Sequence, residues 1–83
     1  MPIYEFELLS DITDIEIIAV GSAIREIDAL RSRYGGKRWR KLKGRAYIRI
    51  YNGDEFWAEI HFYDCHGIGR RRLKVKLPGD DDE

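Results

Sequence analysis

Eighty-three residues make one small domain, which buries only about 60–65% of its unfolded surface and therefore folds with little margin. The single cysteine, Cys65, excludes an intramolecular disulfide and fits a reducing cytoplasm. No apolar run approaches the ~20 residues a membrane helix needs, and no secretory leader is recognisable. The formal charge is zero, but fourteen of the fifteen Lys and Arg lie in Arg31–Arg49 and Arg70–Lys76, and neither stretch contains an acid.

Ile3–Leu9 alternates, with Tyr4, Phe6 and Leu8 on one side, and reads as a strand. Ser10–Asp14 is turn-like. Ile15–Val20 is β-branched and favours a strand, although Ile12, Ile15 and Ala19 also share a helical face. Gly21-Ser22 predicts a helix start with Ser22 as N-cap. Ile24, Ile27, Leu30 and Tyr34 recur near helical spacing, and Gly35-Gly36 supplies the stop. Lys37–Lys43 reads as a basic connector. Arg45–Tyr51 and Asp54–Asp64 alternate on either side of Asn52-Gly53, a strong hairpin signal. Cys65–Gly69 is a second turn and Arg70–Leu77 a last strand. Pro78-Gly79 ends the ordered chain.

The expected architecture is α+β. One main helix packs on an antiparallel β-meander of three C-terminal strands, with one or two N-terminal strands added at an edge. Residues 1–79 form the domain, and Asp80–Glu83 is a disordered acidic tail that could compete for a basic surface. The helix is expected on the apolar face: Ala46, Ile48 and Ile50, then Phe56, Ala58, Ile60 and Phe62, then Leu73, Val75 and Leu77. The opposite face carries Arg45, Tyr47, Arg49, Tyr51, Trp57, Glu59, His61, Tyr63, Arg72, Lys74 and Lys76 and is expected to stay uncovered.

That face is the first functional candidate. Cations neutralise phosphates and exposed rings stack on unpaired bases, so the partner class it points to is nucleic acid, RNA ahead of DNA. The residues are Arg38, Trp39, Arg40, Lys41, Lys43, Arg45, Tyr47, Arg49, Trp57, Arg70, Arg72 and Lys74. A solvated sheet face, with Tyr and Trp present for β-propensity, would produce the same composition. His61, Tyr63 and His66, close to Arg70-Arg71-Arg72, are the candidates for acid–base work on a phosphodiester. His61 paired with Glu59 is the plainer alternative. Asp64-Cys65-His66 projects in divergent directions and lacks a Cys-x-x-Cys partner, so no metal and no cofactor are expected. A protein-interaction module is the third function class. Its basic face would meet an acidic antitoxin-like protein or a second copy, giving a homodimer.

Trp39-Arg40-Lys41-Leu42-Lys43-Gly44-x-Ala46, followed by Ala58-Glu59-x-His61-x-Tyr63-x-x-His66-Gly67-Ile68-Gly69, resembles a family of short uncharacterised bacterial proteins found in cyanobacteria and proteobacteria. That resemblance covers about Ile12–Lys76 and implies no assigned activity. More distantly, a helix followed by Leu42-Lys43-Gly44 and a strand meander resembles the RelE/ParE superfamily of toxins. That likeness implies a ribosome-dependent ribonuclease with Arg45, Arg49, His61, Tyr63, Arg70 and Arg72 as its working set. The superfamily begins with a helical hairpin, whereas this chain offers one helix and a strand-like start.

Overall fold

In the computed structural model, which describes residues 5–76, the chain runs β1 (Phe6–Leu8), β2 (Thr13–Val20), a 3-10 turn at Gly21–Ala23, α1 (Ile27–Tyr34), β3 (Trp39–Ile50), β4 (Glu55–Cys65) and β5 (Gly69–Lys76). A long hairpin organises it. β3 and β4 pair antiparallel from Arg49↔Glu55 through Ala46↔Ala58 to Trp39↔Cys65, turning at residues 51–54. β5 pairs along the outer side of β4. β1 and β2 share the free side of β3. β1 pairs around Ile48–Ile50 and β2 along Arg40–Arg45. Their linker is tied down where Leu9 N–H donates to Tyr47 O at 2.8 Å and Ser10 Oγ accepts from Tyr47 N–H at 2.9 Å.

The expected α+β arrangement, a helix laid over a meander, is corrected by this structure, and the RelE-like layout is corrected with it. The fold is predominantly antiparallel β, with 58% of the described residues in strands and 15% helical, and the sheet curls into a half-barrel. Two kinds of irregularity account for the curl. On β5, Arg72 and Leu73 together oppose Phe62, with Arg72 in the left-handed region at φ 58°. On β2, the register shifts between Thr13 and Glu16, around Asp14 at φ 55°, and again between Ile17 and Ala19. Extra residues bend a strand and deepen its twist. Gly44 completes the closure: a Cβ there would stand 2.5 Å from Ile12 Cγ2 and 2.8 Å from the Thr13 carbonyl oxygen. Only a bare backbone lets β2 come in so close.

The curled face closes on itself. Ile12, Leu42, Ala46, Ile48, Ala58, Ile60, Phe62 and Val75 are buried together, with Phe6, Ile50, Phe56 and Leu73 packed around them. It needs no helix. The helix instead sits on the opposite face, at the Trp39–Cys65 end, where Ile24, Ile27 and Leu30 bury Trp39, Tyr63 and Cys65. It is also shorter than its apolar spacing predicts. Ile24 is extended (φ −80°, ψ 125°), so the segment from Gly21 makes one 3-10 turn and the α-helix begins at Ile27 after Glu26. Ser22 therefore caps nothing in α1. Gly35 and Gly36 end the helix at φ 79° and 83°, conformations that suit glycine.

From Trp39 on, the basic connector expected at Lys37–Lys43 is instead the start of β3, held from both sides by β2 and β4. Ile3, Tyr4, Leu77, Pro78, Gly79 and the tail Asp80–Glu83 lie outside the described residues.

Candidate nucleic-acid interface

Cross-strand partners share a sheet face, and the pairing therefore fixes where each cation goes. Arg40, Asp64 and Arg70 are in register with one another. The Arg40 guanidinium makes a two-pronged contact with Asp64, Nε to Oδ1 at 3.0 Å and Nη2 to Oδ2 at 2.9 Å. Arg70 lies 5.0 Å from the centre of the Phe62 ring. Lys41, Lys43, Arg45, Tyr47 and Arg49 alternate onto the helix-bearing face, opposite Tyr63, His61, Glu59, Trp57 and Glu55. The cations expected on one surface are thus divided between two.

Several are also partnered. Arg49 holds Glu7 at 2.7 Å and Glu55 at 3.0 Å, and Lys43 lies 3.9 Å from Glu16. Lys41 Nζ stands 6.0 Å from the Tyr63 ring centre. Of the rings expected to stack, Trp39 is fully buried. Its Nε1–H donates to the Gly35 carbonyl oxygen at 2.9 Å, and it tilts against Tyr34 at 5.8 Å. This is a correction: Trp39 anchors the helix and offers no face to a base. Trp57 is 55% exposed and meets Tyr47 edge-on at 5.4 Å, beside Glu-rich neighbours at the far end of the hairpin.

The three acid–base candidates do not converge. His61 is 5% exposed and its Nε2 sits 2.5 Å from Glu59 Oε2. The Tyr63 hydroxyl is buried and donates to Glu26 Oε1 at 2.6 Å. Burial and that carboxylate push its ionisation far above the ordinary tyrosine range, so it stays protonated near neutrality with its hydrogen committed to Glu26. His66 lies exposed in the β4–β5 turn and lines a different cleft. His61 and Lys74 line a small cleft of about 230 Å³ beside Lys41 and Glu26, roofed by Ala23 and Ile24. His66 shares a broader one with Lys37, Arg38 and Arg40. Among the described residues no group of His, Cys, Asp and Glu could hold a metal ion, and no helix is long and apolar enough to cross a membrane.

What the fold does concentrate is charge at one pole. The close packing of Gly36 against Cys65 and Ile68 brings the helix exit and the β4–β5 turn together. Arg31, Arg33, Lys37, Arg38 and Arg40 come from one side, and Arg70, Arg71 and Arg72 from the other. At its centre stands Tyr34, half-buried, with the guanidiniums of Arg71, Arg72 and Arg33 at 5.5, 5.8 and 6.0 Å from its ring centre. Arg72 first, then Arg33, draw the Tyr34 hydroxyl below the ordinary tyrosine value, even against some desolvation. Among the described residues, none of these three arginines has a carboxylate within ion-pairing distance.

Arg33, Tyr34 and Arg71 are absent from the sequence-based site. Tyr34 reads as a core position on helical spacing. Arg71 reads as lying on the apolar face, because plain alternation from Arg70 puts it there. The bulge at Arg72 reverses that parity and turns Arg71 toward Tyr34. The usable signal was the position of Arg31, Arg33 and Tyr34 immediately before Gly35-Gly36, with an arginine triplet after Gly69. No family model, no curated protein and no solved structure matches the chain.

Proposed function

We propose that the protein binds nucleic acid, RNA ahead of DNA, through this basic pole. One observation carries the reading: three guanidiniums gather around one accessible tyrosine with no carboxylate among the described residues to neutralise them. Packing like charges together is unfavourable in the free protein and becomes favourable when a polyanion occupies the site. Arg supplies forked donors suited to phosphate oxygens. Tyr34 places an aromatic ring beside those phosphate contacts, a combination single-stranded RNA sites use. Lys37, Arg38 and Arg70 extend the positive surface around the pole.

The test is binding of a short single-stranded RNA, followed by fluorescence anisotropy at several salt concentrations. Affinity should fall steeply with salt, as counterion release requires. The double substitution Arg33→Gln/Arg71→Gln should weaken binding by about ten-fold or more. The pair Arg45→Gln/Arg49→Gln, on the helix-bearing sheet face and away from the pole, should change it by less than about three-fold. Absence of binding at low salt, or a salt-independent affinity, refutes the reading. A larger effect from the Arg45/Arg49 pair would return the site to the sheet face.

A further inference from the structure

At the Trp39–Cys65 end of the curled face, Val20, Arg40 and Asp64 stand in register on β2, β3 and β4. They share a face and line a cleft of about 750 Å³, within the range of sites that enclose small ligands. The cleft opens beside the basic pole: Lys37 and Arg38 line it from the helix exit, and His66 lines it from the β4–β5 turn. Val20, 55% exposed, and the bare backbone of Gly21 give it a flat apolar wall. Among the described residues that line it, Asp64 is the only acid. The Asp64 side chain is 21% exposed, and Arg40 grips both of its oxygens, with Nε on Oδ1 and Nη2 on Oδ2. That grip fixes the direction of the carboxylate and leaves each oxygen free to accept from a further donor.

A carboxylate set among phosphate-binding cations repels the backbone they hold, and a largely exposed ion pair adds little to stability. Asp64 favours a ligand there only where that ligand presents a hydrogen-bond donor. The flat apolar wall beside it suits the face of a base. Uracil sets its single N–H between two carbonyl oxygens, which meet a carboxylate unfavourably. Cytosine has the same size and carries an amino group in place of one of those oxygens, and acidic side chains accept from that group. We propose that this cleft takes one unpaired base of a single-stranded RNA held at the pole, and that Asp64, oriented by Arg40, selects an amino-bearing base over uracil. The proposal rests on the nucleic-acid reading above. It adds the base preference that contacts to phosphates do not supply.

The test compares, by fluorescence anisotropy of the full chain, a short oligouridine with the same strand carrying one central cytidine. The cytidine strand should bind about five-fold tighter or more, with the same salt dependence. N4,N4-dimethylcytidine at that position has no amino hydrogen and should bind no better than uridine. 2′-Deoxycytidine there keeps the amino group and should keep the preference. These arms use the wild type and do not depend on a variant folding. Asp64→Asn, whose amide donates as well as accepts, should erase the preference, whereas a merely structural role for Asp64 would change both affinities by the same factor. Equal affinities with a steep salt dependence leave the pole standing and overturn the cleft. No binding of either strand at low salt overturns the pole and the cleft together. A preference that survives Asp64→Asn or the dimethyl group, or that is lost with the deoxy sugar alone, overturns the proposal as well.

Discussion

The two ends of the β3–β4 hairpin are built inside out with respect to each other. At the Arg49–Glu55 end, the curled face is apolar, with Ile48 and Phe56 paired, and the other face carries Arg49, Glu55 and the Tyr47–Trp57 pair. At the Trp39–Cys65 end, the curled face holds the Arg40–Asp64 ion pair, and the helix-bearing face is apolar. The exchange occurs within Ile60–Tyr63, four consecutive buried residues on β4. A strand's amphipathicity therefore belongs to its segments, because different partners cover different lengths of it. The half-barrel can cover one face only as far as the sheet curls, and beyond that point α1 takes over from the other side.

Removing the anchor of each end separates the two. Trp39→Ala should cost about 3–5 kcal/mol in chemical denaturation, the usual price of emptying a fully buried aromatic site. It also removes the bond to Gly35 O that fixes the helix exit. Ile48→Ala, equally buried inside the curl, should cost about 2–4 kcal/mol. The two should differ in hydrogen exchange. Trp39→Ala should strip protection from α1 first, whereas Ile48→Ala should loosen β1 and the hairpin tip. Loss of α1 protection in both to the same degree would mean the ends are not separate structural units.

Gly44 comes next in size, because it lies on the curled face where β2 crosses. Gly44→Ala places a methyl against Thr13 O, a backbone atom that cannot swing aside, and should cost about 1–3 kcal/mol. The effect should appear as lost pairing between β2 and β3, read from amide exchange along Glu16–Val20. A neutral Gly44→Ala would show that the crossing is looser than its geometry.

Much of the strand pattern is legible in the sequence, and most of its failures concern which face is covered. Period-two alternation marks Arg45–Tyr51 and Asp54–Asp64 and the Asn-Gly turn between them. The aliphatic run Ile15–Val20 reads as a strand. Alternation says nothing about which face is covered, and Lys41 and Lys43 beside Trp39 look like a solvated connector until β2 and β4 are seen on either side. Tyr63 and His61 look like an exposed strip because their cover, α1 over Tyr63 and the Ala23–Glu26 segment beside His61, lies thirty-odd residues away in sequence. The bulge at Arg72 leaves no mark in composition, and so Arg71 was unreadable as a neighbour of Tyr34. The helix start failed for a local reason: the apolar spacing continues through Ile24, but Ile24 itself is extended and packs inward from a turn.

The Tyr63–Glu26 bond sits where the two ends meet and links burial to pH. Glu26 titrates below its ordinary value, chiefly because the Tyr63 hydroxyl donates to it, with Lys41 and Lys74 adding smaller attractions against desolvation. A carboxylate whose folded value is depressed contributes stability that is fully present above its unfolded value and is lost as pH falls through the folded one. Tyr63→Phe should therefore cost about 1–2 kcal/mol near neutrality. It should also flatten the acid limb of the stability profile, since the principal cause of the depression is gone. An acid limb unchanged in Tyr63→Phe would assign it to other carboxylates.

The smallest effect is expected at the far tip, and its smallness is informative. Arg49 there is shared by Glu7 and Glu55, all three side chains substantially exposed. Their bonds are shorter than the 3.9 Å Lys43–Glu16 contact, yet solvent screens them and Glu7→Gln leaves Arg49 still held by Glu55. Glu7→Gln should change stability by less than about 1 kcal/mol, and the difference should vanish near ~0.5 M salt. If RNA is held at the basic pole, Arg49 takes no part in it, and the same substitution should leave RNA affinity within about two-fold of the wild type. If Glu7→Gln instead tightens RNA binding markedly, Arg49 is a phosphate ligand held back by two carboxylates, and the interface extends from the pole to the end of the hairpin where Trp57 and Tyr47 stand.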